Sequence, residues 1–243
     1  HPQMVIIDGL PRKFKFLHGA DQLKTKIKPG FDLVITVDCA DKKRVACPSD
    51  LPDIDLNIDH HITNEYFAKT NIVIPEQPAT TAILAKYLPE WGFKIEAHTA
   101  NALLMGMVTD TIGFSTTNVS PGYLHLAADL MEKGANLADV YHKALTAQSM
   151  AASIIWGNAL SRIESDGRLA WTTITLEDRK KASYQGNDDA DLTNHLSTLE
   201  GIDIEVLFNE QKSSKVKVSW RSNSKFDVSK LASMFNGGGH PPA

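Results

Sequence analysis

Residues 31–38, FDLVITVD, are an apolar run that an aspartate closes. Without polar alternation, such a run predicts a strand buried on both faces, the habit of parallel sheets. DLNIDHH (55–61) predicts a second, shorter strand with polar residues at its exit. Helix-length apolar text follows in ATTAILAKYL (79–88) and HTANALLMGMVTD (98–110). The clearest helix is SPGYLHLAADLMEKGAN (120–136). There Ser120 is placed to cap, Pro121 suits the first turn, and Gly134 stops the helix. Tyr123, Ala127, Leu130 and Met131 would share its buried face. Strands alternating with helices define an α/β first domain over residues 1–136.

Residues 137–163 contain few helix breakers and predict a helical connector. After ESDGR (164–168) the pattern changes. LAWTTIT (169–175), IDIEVLF (202–208) and KVKVSWRS (215–222) have strand character. In the last, Val216, Val218 and Trp220 alternate with Lys215, Lys217, Ser219 and Arg221, which predicts a half-exposed strand. DVSKLASMF (227–235) predicts a helix with Val228, Leu231, Ala232 and Phe235 on one side. Residues 164–243 thus form a smaller α/β domain with its own sheet. No internal repeat is present.

Composition narrows the function. The 243 residues carry a formal charge of -4, which argues against a general duplex-binding protein. A small phosphorylated substrate stays open, since it needs only a few local cations. No run reaches the roughly 18 apolar residues of a membrane span, and no signal-peptide pattern opens the chain. Cys39 and Cys47, the only cysteines, have no metal-finger spacing and form no disulfide framework, which places the protein in a reducing cytoplasm.

Three polar groups sit at the ends of apolar elements: Asp38, the Asp59-His60-His61 cluster, and Asp110. In open parallel sheets ligands bind beyond the carboxyl ends of strands. Carboxylates with an imidazole suit a divalent ion of intermediate hardness, manganese more than magnesium. Spacing supports an ordinary reading equally: each aspartate as a turn or helix cap, and the histidine pair as a solvated loop.

VDCAD (37–41), DHH (59–61), VTDTIGF (108–114) and GGGH (237–240), in that order, resemble the DHH phosphoesterase superfamily with a C-terminal DHHA1 domain. The likeness is nearest to its nanoRNase and 3′-phosphoadenosine-5′-phosphate phosphatase group. It extends over nearly the whole chain, including DGLPRKFKFLHGADQL (8–23) and DADLTNHLSTLEGIDIEVLF (189–208). The resemblance implies a hydrolase using two divalent cations, manganese first, with magnesium or cobalt as alternatives. It implies Asp38, His60 and Asp110 as metal ligands, with Asp59 and His61 as orienting or phosphate-facing groups. Arg221, Ser222, Gly237, Gly238, Gly239 and His240 would hold substrate. Arginine matches phosphate with paired hydrogen bonds, and glycines let backbone N–H groups approach an anion. Without the resemblance, Arg221 reads as an outward cation on an edge strand, and the glycines as a helix stop before a tail.

The implied substrates are short single-stranded RNA, dinucleotides and phosphorylated nucleotides, with phosphoadenosine phosphate as a 3′-phosphatase substrate. Cyclic di-AMP or linear dinucleotide hydrolysis is the nearest alternative. Members of the family tend to form homodimers. The family's N-terminal motif, His-x-x-Pro-Asp-x-Asp, has no match before Asp38. Pro52-Asp53-Ile54-Asp55 is a decoy, with Ser49 where the histidine belongs. The expectation is a chain clipped at both ends of a longer polypeptide, its sheet left with an exposed apolar flank. A nucleotide-binding protein without catalysis is the reading from another class.

Overall fold

The computed structural model describes residues 2–27, 30–43, 45, 53–212, 214–223, 226–235 and 237–238. Two compact units divide the chain, His1–Ala147 and Gln148–Ala243.

The first unit holds a parallel sheet of order β1-β2-β3, with β1 at Ile35–Val37, β2 at Leu56–Asp59 and β3 at Thr70–Val73. Four helices follow, α1 (Thr80–Glu90), α2 (Ala97–Asp110), α3 (Pro121–Glu132) and α4 (Leu137–Tyr141), the last running into a π-helical turn at His142–Thr146. The core of this unit lies among these helices. In α2 the buried residues Ala100, Leu103, Leu104, Met107 and Val108 recur at helical spacing and face Ala82 and Ala85 of α1 and Leu130 of α3 within one cluster. Gly106 permits the approach of α1: a Cβ there would lie 2.4 Å from the Thr81 side chain. Leu104 is fully buried. Leu104→Ala should cost about 2–5 kcal/mol, checked as a shift in the urea unfolding midpoint.

Local signals place α3 well. The Ser120 hydroxyl accepts from the Tyr123 N–H at 3.2 Å, Pro121 opens the first turn, and Gly134 follows at φ 99°. Tyr123, Ala127 and Leu130 are buried as expected, whereas Met131 is 44% exposed. The FDLVITVD run differs more. Its strand is three residues long and is one of the two outer strands among the described residues, with Leu33, Ile35 and Val37 50–58% exposed. These alternate residues share one face, along which Val5, Ile6, Phe31 and Val45 line an open groove of about 560 Å³. Its apolar continuity therefore does not mean burial on both faces.

The span 137–163 is not one connector. α4 and the π-helical turn belong to the first unit, and α5 (Met150–Leu160) belongs to the second. Between them the backbone extends at Ala147, and Ser149 caps α5 by accepting from the Ala152 N–H.

The second unit has a mixed sheet of order β4-β5-β6-β7, with strands at Glu164–Asp166, Leu169–Ile174, Ile204–Gln211 and Lys215–Ser222. Only β5 and β6 pair in parallel. Gly167 at φ 58° helps turn the β4-β5 hairpin. Ile174 and Leu207 meet Ile155, Leu192 and Leu196 in the core, the last two from α7 (Leu192–Leu196). Arg179 of α6 (Leu176–Lys181) is buried and donates to the carbonyls of Gly186 and Asp188 and to Asn209 Oδ1. That accounts for a buried guanidinium. The Val216/Val218 face of β7 is 55% and 38% exposed, and on α8 (Val228–Met234) only Val228 is buried among the residues expected inside. Residues 239 and 240 lie outside the described residues. Among those described, no helix is long and apolar enough to cross a membrane.

Candidate active site

Asp38 leaves the end of β1 at φ 58°, a left-handed conformation that aspartate tolerates better than most residues. Its N–H donates to the Ile58 carbonyl at 2.9 Å, which continues the pairing with β2. The Thr80 hydroxyl, in the first turn of α1, donates to Asp38 Oδ1 at 2.8 Å. Backbone and carboxylate are pinned from different elements, yet the side chain stays 53% exposed.

The second strand delivers the DHH cluster. Asp59 is fully buried, and burial alone would raise its pKa. Bonds from His61, Asn64 and the His60 N–H together hold it below the usual carboxylate range. His61 Nδ1 lies 2.7 Å from Asp59 Oδ1, and Asn64 Nδ2 donates to Asp59 Oδ2 at 2.6 Å. His60 Nδ1 faces the Gln77 carbonyl at 3.1 Å. A carbonyl only accepts, so Nδ1 of His60 carries a proton, and in the neutral ring Nε2 is the atom left to ligate. In the neutral ring the same assignment for His61, whose Nδ1 faces a carboxylate, would leave its Nε2 to ligate.

The two imidazoles and the Asp38 carboxylate converge. His60 Nε2 is 3.5 Å from Asp38 Oδ1, and the ligand atoms of Asp38, His60 and His61 lie within 4.8 Å of one another. A separation of 3.5 Å is longer than a good hydrogen bond. It suits two donors on one cation, since atoms each about 2.1 Å from an ion stand about 3 Å or more apart. The donor set therefore fits a divalent ion, and Asp59 bonded behind His61 is the arrangement that orients metal-ligating histidines.

Asp110 ends α2 and couples electrostatically to Asp38 and His61 rather than joining the tight group of three. Asp110 is exposed, so water screens part of its interactions. Crowding by protein, followed by the negative charge of Asp38, still raises its pKa to about 7, against a smaller opposing effect of His61. The helix end is held by the Tyr123 hydroxyl, which donates to the Met107 carbonyl at 3.0 Å, and by the Thr111 hydroxyl, which donates to the same carbonyl at 2.6 Å. Gly113, at φ 71°, has no room for a Cβ beside Tyr141.

A pH prediction follows. Because the folded pKa of Asp110 exceeds its unfolded value, its contribution to stability is present below about pH 4 and is lost as pH rises through about 7. In chelator, Asp110→Asn should melt above the wild type at pH 8 and match it at pH 4. Added manganese should reduce or reverse the pH 8 difference, because the cation favours the ionised carboxylate. Differential scanning fluorimetry at both pH values checks this.

In the second unit Arg221 stands opposite Glu205 in the β6-β7 register. Burial lowers the Arg221 pKa against the opposing charges of Asp189 and Glu205. One guanidinium nitrogen, Nη1, donates to the Trp220 carbonyl at 2.9 Å. Glu205 is 3% exposed, and burial raises its pKa to about 7. Its Oε2 has no hydrogen-bond partner among the described residues. The Ser222 hydroxyl donates to the Phe226 carbonyl at 2.5 Å, and the Gly237 N–H donates to the Ala232 carbonyl at 2.9 Å. Gly238 is open, with nothing within 4 Å of where a Cβ would project.

The DHHA1 domain family matches residues 172–243. The chain is 30% identical over 237 residues to the bifunctional oligoribonuclease and PAP phosphatase NrnA of Thermus thermophilus, covering 96% of this chain and 71% of that protein. The chain belongs to the DHH–DHHA1 phosphoesterase family. A Bacillus subtilis protein of the same description is 25% identical over 243 residues, covering 97% of this DHH–DHHA1 chain and 76% of the relative. An exopolyphosphatase-related protein from Bacteroides fragilis shares the fold, with a TM-score of 0.86, 24% identity, and coverage of 98% of this chain and 75% of that one.

Some DHH–DHHA1 site residues had no signal in the sequence. Thr80 and the Gln77 carbonyl act on Asp38 and His60 across 42 and 17 residues, beyond any local periodicity. Asn64 and Glu205 also emerged only from the structure; Asn64 stands five residues beyond Asp59, where a loop polar residue attracts no notice.

Proposed function

We propose that this protein is a metal-dependent phosphodiesterase that hydrolyses short oligoribonucleotides to mononucleotides, with 3′-phosphatase action on phosphoadenosine phosphate. The observation that carries the reading is the convergence of Asp38, His60 and His61, with Nδ1 of His60 beside the Gln77 carbonyl and Nδ1 of His61 beside Asp59. The similarity to oligoribonuclease and PAP phosphatase relatives supports the substrate class.

Asp38, His60 and His61 would hold a divalent ion, with Asp110 close enough to contribute charge. Manganese suits this mixture of nitrogen and oxygen donors better than magnesium. When bound, such ions supply Lewis-acid stabilisation of phosphoryl oxygens and lower the pKa of water towards neutrality. The protein's own groups do the rest. Asp59 keeps His61 in one tautomer, the Gln77 carbonyl does so for His60, and Thr80 holds the Asp38 carboxylate. Arg221 keeps guanidinium N–H groups for a phosphate, a match that lysine does not reproduce. Gly237, Gly238, Gly239 and His240 would add backbone and imidazole donors to the substrate.

The test is a panel of dinucleotides, phosphoadenosine phosphate and cyclic di-AMP, assayed with the full-length protein in manganese, magnesium, cobalt or chelator. The reading expects manganese-dependent release of mononucleotides from dinucleotides and of phosphate from phosphoadenosine phosphate. Turnover of cyclic di-AMP alone would transfer the assignment to cyclic dinucleotide hydrolysis, and tight binding without turnover would make it a nucleotide-binding protein. A sizing column in the same buffers tests homodimer formation.

A further inference from the structure

Asp38 and the DHH residues reach the site on separate loops, after β1 and after β2. Something must fix the distance between those loops, because a metal ligand set tolerates little error in position. One side chain touches the anchoring groups of both. Asn64, 8% exposed, donates through Nδ2 to Asp59 Oδ2 at 2.6 Å and to the Cys39 carbonyl at 3.1 Å. Cys39 directly follows Asp38, and Asp59 directly precedes His60 and bonds His61. The remaining polar atom of Asn64, Oδ1, accepts from the Tyr66 N–H at 2.7 Å. The amide therefore spends its donors on the two loops and its acceptor on its own.

Neighbouring contacts act in the same direction. Asn57, fully buried on β2, donates to the same Cys39 carbonyl at 2.9 Å. The Glu65 N–H donates to the Ala40 carbonyl at 2.8 Å. These bonds of Asn57 and Glu65 hold the Asp38 loop and go to backbone carbonyls rather than to the Asp59 carboxylate. Asn64 alone, among these three, couples the loop to the carboxylate that orients His61.

We infer that Asn64 is a positioning residue for the metal site: by holding Asp59 and the Cys39 carbonyl together it sets the spacing between Asp38 and the two histidines. The inference rests on the proposed metal site. Only an amide serves here. Aspartate keeps the shape but presents oxygen to two acceptors, leucine keeps the bulk with no donor, and serine is too short to reach both partners.

The test compares wild type with Asn64→Leu and Asn64→Ser in the full-length protein. Manganese binding is measured by titration calorimetry, metal-free stability by thermal melting, and dinucleotide hydrolysis over a manganese series. Outer partners of metal ligands are worth about 10–100-fold in metal affinity. The variants should bind manganese weaker by about that factor, with KM for the dinucleotide at saturating manganese close to wild type. Raising manganese should restore much of kcat. A purely structural role would lower the metal-free melting point and leave the manganese affinity of the folded fraction unchanged. Wild-type manganese affinity in either folded variant overturns the inference. A wild-type protein that binds no divalent ion overturns the metal site itself, which is a separate and distinguishable result. If leucine prevents folding, the serine variant, whose smaller side chain leaves room for water, carries the same comparison.

Discussion

Asp38→Asn should reduce manganese-dependent dinucleotide hydrolysis by roughly 10³-fold or more, the scale expected when several kcal/mol of charge stabilisation is removed from a metal site. The substitution is nearly isosteric. The amide oxygen can still accept from Thr80, and the backbone bond to Ile58 is unaffected, so the fold should persist. What disappears is the negative charge beside the two imidazoles. Asp38 is 53% exposed, so little packing is at stake, and a circular dichroism melt in chelator should match the wild type at pH 4 and lie no lower than it at pH 8. Relief of repulsion on Asp110 gives a second readout. Without the Asp38 charge, the Asp110 pKa should fall from about 7 towards the ordinary carboxylate range, although crowding by protein keeps part of the rise. The pH 8 stability gain from Asp110→Asn should therefore shrink in the Asp38→Asn background. Near-wild-type turnover by a well-folded Asp38→Asn protein would falsify the assigned role.

Arg221→Ala should raise KM for dinucleotides by about 10–100-fold, the equivalent of the roughly 1.5–3 kcal/mol that hydrogen bonds to charged groups supply. Arg221→Lys should recover only part of that loss, because an ammonium cannot reproduce the planar fork. The variant needs a control. Removing Arg221 deprives the buried Glu205 of a nearby positive charge, and an uncompensated buried carboxylate destabilises a fold on its own account. Arg221→Ala combined with Glu205→Gln removes that complication. If the double variant is stable and its KM remains at the wild-type value, Arg221 does not grip the phosphate. If KM rises while manganese affinity is unchanged, the substrate-holding group in the second unit is separable from the metal group in the first.

Much of the element pattern was legible in the text. The Ser120, Pro121 and Gly134 signals bound α3 because caps and stops act within one turn of the chain. KVKVSWRS coincides with β7 from end to end, since alternation at period two is a local property. Burial was less legible. The apolar run at 31–38 lies partly exposed on an outer strand, and Leu231 of α8 and Phe235 just after it are exposed. Hydrophobicity states what a residue favours, while its neighbours determine whether anything covers it. The site divides along the same line. Asp38, Asp59, His60, His61 and Asp110 could be picked out as polar groups closing apolar elements. Which atoms face one another could not.

Taken alone, the order of residues determined the alternation of strands and helices, the two-part organisation, and the placing of acids and imidazoles at element ends. Those features depend on separations of a few residues, within which backbone geometry repeats. The tertiary structure decided that His61 lies with Asp38 and His60, that Asp110 couples to Asp38 and His61, and that Thr80 and Asn64 bond Asp38 and the Cys39 carbonyl from 42 and 25 residues away. Those outcomes depend on strand register and loop path, which bring distant residues together only once the chain has packed.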